Sequence, residues 1–163
     1  MSYGCVRGDC INGEGKYVDT NGAEYSGNFK NGKPHGKGRM KLPDGSVYEG
    51  QWKKGKRNGA GIYHFPNGNK YEGEFKDGNI QGHGILYAFD GGKYEGQWKN
   101  GMFHGRGVYI FPDNTKYDGD FVRGNKNGFG IEISSDGTKY DGQWKDGLFH
   151  GKGVETRPDG TLY

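Results

Sequence analysis

The chain has 163 residues and a formal net charge of +3, enough length for one ordinary domain and too little charge to single out nucleic acid as a partner. Its hydrophobic fraction is 30% and its mean hydropathy −1.04, values that on composition alone would suit a disordered chain. No apolar run reaches the ~18 residues of a membrane helix. The start, Met1-Ser2-Tyr3-Gly4-Cys5, lacks the apolar centre of a secretory leader, so a cytoplasmic protein is expected, with cytoskeleton or membrane association as further options.

Disorder is opposed by what the chain does have. It holds 12 Tyr, 9 Phe and 3 Trp, and its 35 glycines recur at fixed positions. Aromatic side chains bury roughly 150–250 Å² each, so a few per segment can make a thin core. Near the start, Cys5 and Cys10 flank the turn Val6-Arg7-Gly8-Asp9. A bridge across it is geometrically feasible, but reduced thiols are the expectation for a cytoplasmic chain. Two cysteines without a second pair do not make a structural zinc site.

From Tyr25 onward the order is periodic. Tyr25, Tyr48, Tyr71, Tyr94, Tyr117, Tyr140 and Tyr163 are each 23 residues apart. A glycine follows two residues later, from Gly27 to Gly142, and an aromatic two beyond that: Phe29, Trp52, Phe75, Trp98, Phe121 and Trp144. A fixed period of this length marks a repeat architecture. One unit shows how it folds. Ser46 to Lys53 alternates Tyr48, Gly50 and Trp52 with Glu49, Gln51 and Lys53, the period of a strand. Lys54-Gly55 makes a turn, Asn58 to Phe65 is a second strand, and Pro66-Asn67-Gly68 closes the unit. Pairs such as Asn31-Gly32, Asp77-Gly78 and Asp44-Gly45 recur at both turns and favour the positive φ angles of tight hairpins. Paired glycines in the second strand, Gly36/Gly38 through Gly151/Gly153, are costly unless something lies against bare backbone. A Tyr or Trp ring from a neighbouring strand is the expected occupant.

The expected fold is therefore all-β: an elongated, twisted antiparallel sheet of tandem 23-residue hairpins. The domain plan is a single array over 1–163, with an irregular cap repeat at 1–24, six repeats over 25–162 and the start of a seventh at 163. The cap has Ser2, Gly4 and Val6 where later repeats have Tyr, Gly and an aromatic. Trp52, Trp98 and Trp144 add a second period of 46 residues, which suits growth by doubling or simple interchange of Phe and Trp.

The pattern Tyr-x-Gly-x-Phe/Trp-x-x-Gly-x-x-x-Gly-x-Gly, as in Tyr94 to Gly107, resembles the MORN (membrane occupation and recognition nexus) repeat over 13–163. The resemblance implies a rod-like or split-tube sheet of stacked hairpins that works as a scaffold or docking surface, often beside other domains. It implies no single activity, and phosphoinositide binding is not general to such proteins.

Function is expected where the repeats depart from one another. Residues 30–57 hold Lys30, Lys33, Lys37, Arg39, Lys41, Lys53, Lys54, Lys56 and Arg57 against only Asp44 and Glu49. Arg39 stands where Ile62, Ile85, Val108, Ile131 and Val154 are aliphatic. A solvated face is the preferred account of this segment. The sharper one is a patch for anionic membrane lipid or an acidic peptide, centred on Lys37, Arg39, Lys41, Lys53, Lys54, Lys56 and Arg57. Nucleic acid is the least favoured partner. His35, His104 and His150 share a position with Asn58, Gln81 and Asn127, which marks a hydrogen-bonding residue rather than a ligand or base. No catalytic residues, metal site or cofactor are expected, because no nucleophile constellation or phosphate loop occurs.

The leading expectation is a non-enzymatic scaffold that binds a helix or extended peptide of a partner protein. Its groove would be lined by exposed rings among Tyr48, Trp52, Tyr71, Tyr94, Trp98 and Tyr117, since Trp and Tyr dominate interface energetics. Homodimerisation through terminal strand edges is a further expectation.

Overall fold

The computed structural model describes residues 3–163. Met1 and Ser2, including the Ser2 position of the cap repeat, lie outside the described residues. There are fourteen strands and no helix among the described residues. They are β1 (Gly4–Gly8), β2 (Glu14–Val18), β3 (Glu24–Lys30), β4 (Lys33–Lys41), β5 (Val47–Lys53), β6 (Lys56–His64) and β7 (Lys70–Lys76), followed by β8 (Asn79–Tyr87), β9 (Lys93–Lys99), β10 (Met102–Ile110), β11 (Lys116–Val122), β12 (Asn125–Ile133), β13 (Lys139–Lys145) and β14 (Leu148–Thr156). Strand follows strand from β1 to β14 in one antiparallel sheet. The chain forms two compact units, Met1–Ile80 and Gln81–Tyr163.

The hairpin turns form as the Asx-Gly pairs predict. Asn31, Lys54, Asp77, Asn100, Arg123 and Asp146 have φ of 50–52°, and the glycine after each is also positive. Two successive positive angles match the right-handed twist of the flanking strands. The turns between repeats differ. There the glycine, or Asn114 once, takes the positive φ, while the preceding Asx side chain accepts an amide two residues on. Asp44 Oδ1 accepts from Ser46 at 2.8 Å and Asp136 Oδ1 from Thr138 at 2.8 Å.

One face of the sheet carries the core. In the first unit Tyr25, Tyr48 and Tyr71 are buried with Phe29, Trp52 and Phe75; in the second, Tyr94 and Tyr117 are buried with Trp98, Phe121 and Trp144. Each of these tyrosines meets the aromatic of its own repeat edge-to-face, and Tyr25, Tyr48, Tyr94 and Tyr117 meet that of the following repeat as well. Tyr25 lies 5.0 Å from Phe29 and 5.3 Å from Trp52, and Tyr94 lies 5.3 Å from Trp98 and 5.2 Å from Phe121. Such pairs contribute about 0.5–1.5 kcal/mol each beyond area burial.

The glycines explain how a ring fits so close to the sheet. A Cβ on Gly107 would come 2.5 Å from Tyr94 Cε2, and one on Gly61 would come 2.5 Å from the Tyr48 ring. The ring therefore lies over the bare second-strand glycine, as the paired glycines predict. Between the first-strand glycine and aromatic the hairpin register shifts, for example between Gly27 and Phe29 and between Gly50 and Trp52. The tyrosine hydroxyl donates to the carbonyl at that bulge: Tyr48 to Gln51 at 2.7 Å, Tyr94 to Gln97 at 2.6 Å, Tyr117 to Asp120 at 2.8 Å. A phenol at the end of each buried ring thus satisfies a backbone oxygen at the irregular register.

Cys5 and Cys10 are joined in a disulfide, which corrects the expectation of reduced thiols. The turn between them brings their Cα atoms to 5.8 Å, inside the span that a disulfide bridges.

Candidate docking site

The six rings expected to be exposed anchors are core residues. Tyr48, Trp52, Tyr71, Tyr94, Trp98 and Tyr117 are only 0–7% exposed. The strand period correctly puts them on one face. Their neighbours on that face, however, are one another and the glycine backbone, so the rings close over the sheet instead of lining an open groove.

The accessible apolar groups on that face come from the second strand of each hairpin, which sequence reasoning passed over. Tyr17 and Met40 both pair with Tyr25, and Tyr63 pairs with Tyr48 and Tyr71. In the second unit Leu86 and Tyr109 pair with Tyr94 in the same way. Met40, Tyr63, Leu86 and Tyr109 are half-buried, and Tyr17 is exposed. Tyr63 leans on Phe65 with centroids 4.7 Å apart, and Tyr109 on Phe111 at 4.6 Å. Each unit thus presents a short row of apolar side chains above its buried tyrosines. The signal was present in the sequence as a position fixed in spacing but variable in identity, fifteen residues after each tyrosine.

A second row lies nearer the hairpin turns, opposite Phe29, Trp52, Trp98, Phe121 and Trp144. It holds Pro34, Arg57, Phe103, Lys126 and Phe149. Phe103 stacks on Tyr94 at 3.8 Å and Phe149 on Tyr140 at 4.0 Å. The Arg57 guanidinium lies over the rings of Tyr48, Tyr63 and Phe75 at 5.1–5.9 Å and donates to the Gly78 carbonyl at 2.8 Å.

The expected anionic patch is divided by this geometry. Arg57 turns to the aromatic face, whereas strand alternation sends Lys37, Arg39, Lys41 and Lys53 to the other. Arg39 Nε pairs with Glu49 at 2.9 Å, which offsets part of its charge. Lys37 and Arg39 border an open depression of about 450 Å³ whose floor is Gly27, Gly38 and Gly50 and whose rim includes Glu14 and Glu49. Lys54 sits at a hairpin turn, where it borders a second depression of about 310 Å³ with Lys30, Lys33 and His35. Lys56 is exposed and lies opposite Lys53 in the β5–β6 register. His35 Nδ1 accepts the Lys54 amide at 3.4 Å, the hydrogen-bonding role expected of that position.

The MORN repeat model matches seven consecutive segments: 4–24, 25–47, 48–70, 71–93, 94–116, 117–139 and 140–162. The chain belongs to the MORN repeat family. The first segment, expected as an irregular cap repeat over 1–24, is matched over 4–24. No curated protein matches the chain in sequence. Among solved structures it is similar to the TCP domain of Drosophila melanogaster SAS-4 in complex with a proline-rich motif of Ana2, with a TM-score of 0.57 and 16% identity over 93% of this chain and 82% of that one. It is similar also to the TCP10c domain of Drosophila melanogaster Sas-4, with a TM-score of 0.52 and 16% identity over 93% and 90% of the two chains. At this identity the likeness is one of fold. The MORN array described here and those TCP domains thus share a sheet architecture, and one of them holds a peptide.

Proposed function

We propose that this MORN array is a non-enzymatic docking scaffold, and that each unit binds an extended segment of a partner protein along its half-exposed apolar row. One observation carries the reading: Tyr17, Met40 and Tyr63 in the first unit, and Leu86 and Tyr109 in the second, recur in register above a buried layer that is already full. They are apolar groups on this face that are exposed enough to gain burial from a partner. Support comes from the SAS-4 TCP domain, whose bound peptide is a proline-rich motif. Proline-rich segments pre-set in an extended helix dock on aromatic-lined rows at low entropic cost. Alanine at Tyr94 or Trp98 would disrupt the core, so the test belongs to the exposed row. Short randomised peptides are selected by display against the whole chain, and the enriched ones are titrated against Tyr63→Ser and Tyr109→Ser. Binding should weaken about tenfold or more in one of the two variants while the melting curve is kept. Unchanged affinity in both would sink the reading.

A second reading keeps the basic turns as an anionic-lipid site, favoured by the gathering of Lys30, Lys33 and Lys54 around one depression. Each lysine near an anionic surface contributes about 1 kcal/mol, screened by salt. Sedimentation with phosphoinositide-containing vesicles should fall as salt rises and vanish on charge reversal at Lys53, Lys54 and Lys56. Salt-independent sedimentation would rule it out.

A further inference from the structure

We infer that the second unit reads a basic side chain, lysine or arginine, in the segment docked on its apolar row. The inference rests on the docking proposal and adds the chemistry of the partner to it. Along that row in the second unit, Leu86 and Tyr109 are followed by Glu132 and Glu155. Glu132 pairs with Tyr117 and Tyr140, and Glu155 with Tyr140, so both carboxylates stand on the aromatic face where earlier repeats are apolar. The first unit has no carboxylate at the equivalent places, Tyr17, Met40 and Tyr63. A carboxylate set among rings is costly unless a cation meets it.

The first of these carboxylates shows how the face holds a cation. Lys126 Nζ is ion-paired with Glu132, and both side chains are only 17% exposed. The same ammonium lies 5.0 Å from the Phe111 ring centroid, 5.2 Å from Tyr117 and 4.7 Å from Trp144. One carboxylate and three ring faces thus make an ammonium seat, filled by the chain's own lysine.

In the next repeat the place of Lys126 is taken by Phe149, which stacks on Tyr140 at 4.0 Å and lies 4.8 Å from Trp144, so no internal ammonium stands there. A depression of about 280 Å³ has Tyr140 and Phe149 as its rings and Glu132, Asp136 and Glu155 as its carboxylates. Lys126 answers Glu132. Arg157 Nε approaches Glu155 at 3.4 Å, but its side chain is half exposed and its guanidinium stacks on Tyr163 at 4.1 Å. Asp136 accepts the Thr138 amide and has no cation against it among the described residues. Stacked rings with more carboxylates than cations favour an incoming ammonium or guanidinium over a neutral or acidic side chain.

The test uses display selection with short randomised peptides on the whole chain, repeated on Glu155→Gln with its melting curve checked against wild type. Peptides enriched on the wild type should carry Lys or Arg at a fixed offset from their apolar residues. They should bind Glu155→Gln about fivefold more weakly, and the difference should shrink in high salt. Enriched peptides with no basic preference, or with equal affinity for Glu155→Gln, overturn this inference and leave the docking proposal standing. If nothing is enriched, the docking proposal fails and takes this inference with it.

Discussion

Gly96→Ala should destabilise the second unit by about 3 kcal/mol or more, enough to leave it largely unfolded in mild urea. Gly96 lies in β9 opposite Gly107 in β10. A Cβ there would come 2.5 Å from Gly107 Cα, 2.6 Å from the Arg106 carbonyl and 2.8 Å from Tyr94 Oη. The first two are backbone atoms of the paired strand, so relief requires the strands to separate where Tyr94 packs. The backbone at Gly96 is not in the left-handed region, so the penalty is one of space and not of conformation. Gly101→Ala supplies the contrast. Gly101 has φ of 76°, and a Cβ on it would meet nothing within 4 Å. That variant should lose only about 1 kcal/mol, the cost of a positive φ without glycine. Urea denaturation of both variants separates the two effects through their midpoints. If Gly96→Ala is no worse than Gly101→Ala, the close approach of glycine to glycine is not what holds the strands.

The same contrast shows how much was legible in the sequence. Tyrosines in phase every 23 residues, Asx-Gly turns and paired glycines are enough to specify a hairpin, its repetition and a ring over bare backbone. Each of these follows from local chemistry. What stayed hidden depends on where a side chain ends. Tyr94 and Trp98 alternate onto one face by the strand period, but the period does not say whether that face is filled by the rings themselves. Tyr94 meets Phe121 of the next repeat and the backbone of Gly107, Trp98 meets Tyr94 and Phe103, and so both become core. The register shift between Gly96 and Trp98 could not be read either, because it arises from a mismatch in spacing between paired strands. That shift is also why the Tyr94 hydroxyl finds the Gln97 carbonyl. The accessible row was missed for the opposite reason. Met40, Tyr63, Leu86, Tyr109, Glu132 and Glu155 share a position but not a chemistry, so they leave no motif. The charged run over 30–57 was visible as composition, yet alternation along β4, β5 and β6 divides it between two faces, and Arg57 ends above the rings.

The array should unfold cooperatively in alkali, between about pH 10 and 12, with proton release and loss of β-sheet circular dichroism in the same window. Burial pushes the phenols of Tyr25, Tyr48 and Tyr94 from their ordinary value near 10 up to about 12, and it raises Tyr71 and Tyr117 as well. A raised folded-state value means that the neutral phenol is favoured in the native chain. The stability from this source is therefore fully present below the unfolded value near 10 and is lost as pH rises through the folded values. The chemistry strengthens the coupling. Each of these hydroxyls donates to a carbonyl at the bulge, so ionisation removes the donor and sets a phenolate against that oxygen. Because every tyrosine in this group also packs on aromatics of its own unit, one ionisation loosens its neighbours. Parallel alkaline titrations of phenolate absorbance and far-ultraviolet circular dichroism give the decision. Coincident, steep transitions are expected. Complete phenolate formation with the β-sheet signal intact would show that the phenols are not the groups that tie the hairpins together.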